Sequence, residues 1–278
     1  MPRFFADNLI KIWLYLSLCL IISAAVFIII FIFINGWKNM SLEFLFSSPS
    51  GMPLGTEGGI FPAIAGTLGL GAICMAGGSL LGAATAAYLF LYCKSTLVNS
   101  AIRLVIQCIA GIPSIVLGLF GYTLFVVTWG MGHSLIAGGL TLVIMVFPVV
   151  AVNTEKALAE ASREQIMASY ALGISKAHTF FHIILPQSKN DIVSGIMLAT
   201  VYAMGATAPI MLTAAVVSAS PPSSLTSPIM ALPYHLYILA SENISVEHAY
   251  STALVLLLIL LGVYTLVATI FNKKGDNQ

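Results

Sequence analysis

The feature that most constrains this chain is a set of six apolar runs, each near or beyond the ~20 residues a helix needs to cross a bilayer core about 30 Å thick. They are Ile12 to Ile34, Ile60 to Tyr92, Leu104 to Thr128, Ser134 to Val152, Ile192 to Val217 and Ala249 to Phe271. The runs are continuous rather than alternating, which points to helices and away from a strand barrel. With 59% of its 278 residues hydrophobic and only 8% charged, the chain cannot bury its apolar surface in a soluble fold. An all-α membrane protein with six transmembrane helices in a single domain is expected, the second helix long enough to include a tilted or re-entrant start.

Lys and Arg resist translocation and gather on the cytoplasmic side. With both termini inside, Arg3, Lys11, Lys94, Arg103, Lys156, Arg163, Lys176, Lys189, Lys273 and Lys274 fall in cytoplasmic segments, and only Lys38 lies outside. One helix more or fewer would scramble this sorting. The first run exceeds the roughly 7–15-residue core of a signal peptide and no A-x-A-like site follows it, so it reads as a retained anchor. No charge sits in the central turns of the helices, which argues against ion coupling within the chain. A net charge of +1 excludes a nucleic-acid-binding surface. Cys19, Cys74, Cys93 and Cys108 show no C-x-x-C spacing and read as small buried hydrophobes.

The stretch 153–191 differs in kind, holding eight of the chain's 21 charges, and must lie in the cytoplasm. Glu155 to Tyr170 is rich in good helix formers, Gly173 breaks the run, and Ser175 can cap a second short helix reaching about Ile184, which Pro186 stops. Such a helix–turn–helix projection suits a subunit that engages a soluble motor; an interfacial helix lying on lipid is the alternative. His178 and His182 share one helical face, but no third ligand stands beside them, so a surface or interface role is preferred to zinc.

Within the second run, Gly66, Gly69, Gly71, Gly77, Gly78 and Gly82 strip side chains from one helix and permit the close approach that lipid does not otherwise drive. Pro113, Pro148 and Pro209 are expected to kink helices, serving packing or lining a pore with freed backbone groups. The proline- and serine-rich stretch Ser218 to Pro233 reads as an extended outer segment, either a docking loop or a plain connector. No G-x-x-x-x-G-K-[ST] phosphate loop occurs, so the chain does not hold ATP in the P-loop manner.

Gly173, Ile183 and Leu185-Pro186 together resemble the G-x(9)-I-x-L-P tail of the cytoplasmic loop in importer-type ABC transporter permeases. That family's loop opens with Glu-Ala-Ala; here the matching positions are Met167, Ala168 and Ser169. The segments Gly58 to Ile64 with Gly66-Thr67-Leu68, Gly111 to Gly121, Leu232-Pro233 with Tyr237, and Ala249 to Leu258 are similar to the membrane subunits of the phosphate importer. Ala208-Pro209 after Gly205 favours the A-type subunit. The resemblance implies a type I ABC importer permease with a coupling helix between its fourth and fifth spans. It further implies coupling through Met167, Ala168, Ser169, Gly173, Ile183, Leu185 and Pro186, and a translocation pathway at Pro113, Ser114, Tyr202, Gly205, Ala206, Thr207, Pro209 and Thr213.

Implied partners are a homologous C-type permease, two ATPase subunits carrying the ATP and magnesium, a periplasmic or extracellular phosphate-binding protein and membrane lipid, with no nucleic acid. The chain itself would bind no cofactor, catalyse no reaction, and sit as a multi-pass protein in a bacterial plasma (inner) membrane. It would form half of the pathway. In the phosphate family an Arg precedes the fifth-helix glycine by three residues and a Glu follows it; here those positions are Tyr202 and Ala206. With Pro209 and Thr213 they are expected to share one helical stripe. Loss of both partners of an ion pair can leave a fold intact. Phosphate import, import of another small solute and a scaffolding or regulatory role all remain open on these residues.

Overall fold

Lipid offers no hydrogen-bonding partners, so each apolar run must satisfy its backbone within a helix. The computed structural model describes residues 2–272. The elements are α1 (Pro2–Trp37), α2 (Leu42–Phe46), β1 (Pro49–Ser50), β2 (Glu57–Gly58), α3 (Phe61–Leu91), α4 (Thr96–Ala110), α5 (Ser114–Gly121), α6 (Leu135–Ala159), α7 (Arg163–Ala171), α8 (Lys176–Thr179), α9 (Leu185–Met204), α10 (Ala208–Thr213), α11 (Leu232–Ser241) and α12 (Val246–Asn272). β1 and β2 form a short antiparallel hairpin, Pro49 opposite Gly58. π-helical turns extend α5 over Tyr122–Thr128 and join α8 to α9 over Phe180–Ile184. Lys273 and Lys274, placed in the cytoplasm by the charge argument, lie outside the described residues.

Among the described residues four helices, α1, α3, α6 and α12, are long and apolar enough to cross a membrane, and α4 with α5 makes a fifth if a pair bent by 100° is one span. The expectation of a single helix over 104–128 is therefore corrected: the helix starts at Thr96, stops at Ala110 and restarts at Ser114. Pro113 has no N–H to donate and disfavours helical geometry at Ile112, so the chain turns there. The expected span 192–217 is also divided, into α9 and α10, because Gly205 ends one helix and Pro209 suits the first turn of the next. α9 is too polar at its Pro186–Asp191 start to count as a crossing by composition. The helix expected over Glu155 to Tyr170 is likewise two, with Ser162 capping α7 by accepting from the Gln165 N–H.

Pro186 does not stop the helix, contrary to the expectation from sequence. The helix runs on from Lys176 to Met204, because the π-helical turn just upstream carries the Leu185 N–H back to the Phe180 carbonyl and loosens the turn that the proline ring would otherwise strike. Pro148 is absorbed inside α6 without a break. Cys74 is buried, but Cys19 and Cys108 sit on exposed helix faces and Cys93 is half-buried, which corrects their reading as uniformly buried.

The core is built on the seam between α3 and α6. A methyl added at Gly77, Gly78 or Gly82 would come within 2.6 Å of Val143, Val146 and Val150 respectively, so glycines on one helix seat branched side chains of the other. Leu142, Val146 and Val150 continue into a core shared with Leu70, Ala199, Ala203, Ile210 and Ile229. The start of α6 is closed from outside its own helix: Ser134 N–H donates to the Thr213 carbonyl (3.2 Å), Leu135 to Ser227 (3.0 Å) and Ile136 to Leu225 (2.9 Å). These orphan donors would otherwise be costly. The proline-rich segment thus serves α6 as a cap, whatever else it does.

The two ends of the bundle separate cleanly. One end gathers Arg103–Glu155, Ser188–Ala157 and Gln165–Gln187; the other gathers Asn39–Glu247, Ser251–Gly36 and His248–Gly55. Lys38 and the cluster of Lys94, Arg103, Lys156, Lys176 and Lys189 lie on segments at opposite ends, as the charge sorting requires. α1 packs against α12 through Phe31 on Tyr250 and Gly36 against Leu254, leaving the rest of its apolar surface outward.

The glycine seam generates a test. A Gly66→Ala methyl would meet the Met230 carbonyl at 2.0 Å, a backbone atom that cannot step aside, whereas Gly69→Ala meets only the terminal methyls of Leu135 at 3.2 and 3.3 Å. Gly66→Ala should therefore cost about 1–3 kcal/mol or more and Gly69→Ala clearly less, read as thermal unfolding of the detergent-purified protein. Equal melting shifts would contradict the close seating of α3 on the Met230 backbone.

Candidate functional site

Two regions carry the residues singled out from the sequence. The first is the projection at the charge-rich end. α7 leaves α6 after a short break, and Gly173 reverses the chain in the left-handed region (φ +75°) with open space around it, so conformation rather than crowding requires glycine there. Ser175 then caps α8 by accepting from the His178 N–H. Ser169 is buried and its hydroxyl shares a 2.7 Å hydrogen bond with that of Thr179, which also donates to the Ser175 carbonyl. This pair clamps α7 to α8.

The projection is rooted rather than loose. Phe180 and Ile184 pack with Ala86 of α3 and Ala157 and Leu158 of α6, with Ile166 and Leu185 against them. Gln187 bonds Gln165 across α9 and α7, and the Ser188 hydroxyl donates to the Ala157 carbonyl at 2.9 Å. Beyond this root, Met167 is 73% and Leu172 80% exposed, with Ala168 exposed beside them. Leu185 is half-buried against the root, Ile183 is half-buried outside that cluster, and Pro186 is exposed on the first turn of α9. Sequence reasoning missed Leu172, whose signal was an apolar residue next to a chain-reversing glycine. It also missed Thr179, which no motif marked, and Ile184, which fills the core where Ile183 was named.

The second region surrounds the two helix breaks. Tyr202, Ala206, Pro209 and Thr213 do not form one stripe, because the helix ends at Gly205 and restarts at Ala208. Ala206 turns in against the core, and Pro209 is buried. Thr213 is fully buried, its hydroxyl spent on the Pro209 carbonyl at 2.7 Å. A methyl on Gly118 would lie 2.8 Å from the Pro209 Cα, so the half-helices that follow the two breaks pack directly on each other. Pro113 caps α5 from an exposed position, with Ser114 half-exposed next to it, and Thr207 is half-buried at the start of α10.

What α9 does present is a different line. Asp191, Ser194, Leu198 and Tyr202, with Gly205 at the cap, are all exposed and spaced 3, 4, 4 and 3 apart, one face from Asp191 to the end of the helix. The far side of the helix, with Thr200, Ala203 and Met204, is buried, while Gly195 borders the exposed line and sits closely against Asn153. A face with Asp, Ser and Tyr is unsuited to lipid. At the charge-rich end it opens into a cavity of about 350 Å³ lined by Asn153, Lys156 and Glu160 of α6, Asp191, Ser194 and Leu198 of α9, and Tyr264 of α12. Among the described residues no group of three or more His, Cys, Asp or Glu is placed to hold a metal, and His178 and His182 stack on each other at 3.9 Å.

At the opposite end the hairpin tip rests on α11 and α12. His248 Nδ1 lies 2.9 Å from the Gly55 carbonyl, and a methyl on Gly55 would touch Leu239. His235 is buried beneath this cap, and burial, with the adjacent charge of His248 second, pushes its imidazole down to about 4.

The family model described as binding-protein-dependent transport system inner membrane component matches residues 78–274. A probable phosphate transport system permease protein PstA of Methanocaldococcus jannaschii is 33% identical over 211 residues, covering 75% of this chain and 74% of the relative. Phosphate transport system permease protein PstA 2 of Mycobacterium tuberculosis is 34% identical over 230 residues, 80% and 75% respectively. Among solved structures, an inward-facing MetNI methionine ABC transporter superposes with a TM-score of 0.64 at 16% identity, over 76% of this chain and 94% of that one. That similarity carries the fold alone.

Two outcomes are expected from this geometry. Thr179→Val strands the buried Ser169 hydroxyl and should cost about 1–3 kcal/mol, seen as faster amide exchange in α7 and α8; unchanged exchange would contradict the clamp. His235 stays neutral in the fold but charges near 6.5 when unfolded, so its stability is intact above that pH and is lost as pH falls towards 4. The loss approaches about 3 kcal/mol, and His235→Gln should flatten the fall in melting temperature between those pH values.

Proposed function

The chain belongs to the family of binding-protein-dependent transport system inner membrane components, and from that premise we propose that it forms half of the membrane path of a phosphate importer. It is a multi-pass permease component of an ABC importer. On our reading a homologous C-type permease completes the path, two ATPase subunits supply the energy from ATP and magnesium, and a binding protein outside the cytoplasm delivers the solute. The observation that carries the path is the exposed line Asp191–Ser194–Leu198–Tyr202–Gly205, which runs from the cavity at the charge-rich end to the break in the helix.

An anion leaving water needs donors in exchange. Ser194 and Tyr202 supply hydroxyls on that line, in place of the Arg and Glu that the phosphate family carries at the positions of Tyr202 and Ala206. The relatives named as phosphate permeases support the choice of substrate. The projection supports coupling: two exposed apolar side chains, Met167 and Leu172, stand on a root fixed by the Ser169–Thr179 clamp, so a motor gripping them moves α6 and α9 with them.

Reconstitution of the complete assembly in proteoliposomes tests this. ATP-dependent uptake of phosphate, competed by arsenate and not by amino acids, is expected; uptake of a different solute would overturn the substrate, and no uptake at all would favour a scaffolding role. Tyr202→Arg with Ala206→Glu should shift the KM for phosphate, and unchanged kinetics would remove Tyr202 from the path. Gly173→Ala should reduce uptake, since a left-handed backbone costs a side chain about 1–2 kcal/mol, while Gly173→Asn should be milder because Asn tolerates that region. Equal activity in both variants would contradict a coupling role for this turn.

A further inference from the structure

α4 is held by little apolar burial, Ile106 being its one buried residue, and its polar contact to α6 is made by a half-exposed arginine. Apolar contact is slight, through Ile102 and Ile106 onto Leu89 of α3 and Phe147 and Ala151 of α6. A polar fork does the rest. The Arg103 guanidinium bonds both carboxylate oxygens of Glu155 on α6, one at 3.1 Å and the other closer, while its Nε donates to Asn99 Oδ1 at 2.6 Å one turn earlier. Asn99 therefore presets the arginine, and the two-pronged contact fixes angle as well as distance. Among the described residues it is the one ion pair.

Its position gives it consequence. Glu155 lies one turn before the end of α6, the helix from which the projection departs and to which Ser188 ties α9. Arg103 lies two turns before the Gly111–Pro113 break, beyond which α5 packs through Gly118 on Pro209. A movement of the charge-rich end of α6 thus has a polar route through α4 to the bend before α5, beside the direct packing of α6 on α5 at Gly121 and on the end of α10 at Gly138.

We propose that the Arg103–Glu155 fork is a positioning pair for transport: it transmits displacement of α6 to α4, and through the bend to α5 and α10. This rests on the permease reading above. Breaking the fork leaves the projection and its root intact, so the motor continues to turn over while less of its stroke reaches the bend before α5 and the α5–α10 contact. The signature is uncoupling rather than loss of assembly.

The experiment measures phosphate uptake and ATP hydrolysis side by side in proteoliposomes holding the complete transporter with its binding protein. Arg103→Gln should lower uptake per ATP about five- to tenfold while hydrolysis stays near wild type and all subunits co-purify. Arg103→Lys keeps the charge without the fork and should fall between the two. The exchange Arg103→Glu with Glu155→Arg should restore most of the lost ratio. An unchanged uptake-to-ATP ratio in Arg103→Gln, a proportional fall of both activities, or no recovery in the exchanged pair overturns the linkage while wild-type transport stands. Absence of ATP-driven uptake in the wild type would overturn the permease reading, and the linkage with it.

Discussion

Close approach of α3 and α6 is the contact on which the rest of the structure depends. In lipid the apolar side chains gain nothing by leaving solvent, so helices associate through packing and shared hydrogen bonds. Glycines at 77, 78 and 82 receive Val143, Val146 and Val150, and Gly66 receives the backbone at Met230. With these two helices locked, α9 and α10 have a fixed wall to lie against, through Ala199, Ala203 and Ile210. The segment after α10 then folds back to cap α6 with the carbonyls of Leu225 and Ser227.

That rigid centre makes sense of the irregular parts. Both helix breaks fall beside it, at Gly111–Pro113 and Gly205–Thr207, and the half-helices after them touch at Gly118 and Pro209. A helix interrupted next to a packed seam can shift without dismantling the seam. The charge-rich projection is anchored to the same centre by α6 and α9, through Ile184, Leu158 and the Ser188–Ala157 hydrogen bond.

Much of this was legible in the residues. The apolar runs gave the helices, the Lys and Arg distribution sorted the ends, and the glycine spacing marked the seam. Gly173 and Ser175 marked the reversal and the cap. What escaped were features set by a few local bonds inside otherwise uniform hydrophobic text. A kink at Pro113 was legible, but the stretch from Leu104 to Thr128 still reads as one span because Gly111 and Pro113 scarcely lower its hydropathy, whereas the chain bends there by 100°. Pro186 looked like a stop because the π-helical turn that accommodates it has no sequence signature. The supposed stripe through Tyr202 and Thr213 failed for the same reason, since it assumed continuous helix across Gly205. Ser169 looked like a degenerate motif position, whereas burial and Thr179 make it a clamp.

On the proposed reading this membrane subunit is driven through its charge-rich projection. Single cysteines at Met167 and Leu172, with the four native cysteines replaced, can be probed by a water-soluble maleimide in the lone subunit and in the assembled transporter. The account predicts rapid labelling alone, protection on assembly, and crosslinks from both positions to the ATPase subunit whose yield changes with ATP. Equal labelling in the two states, with no crosslink to any partner, would contradict it.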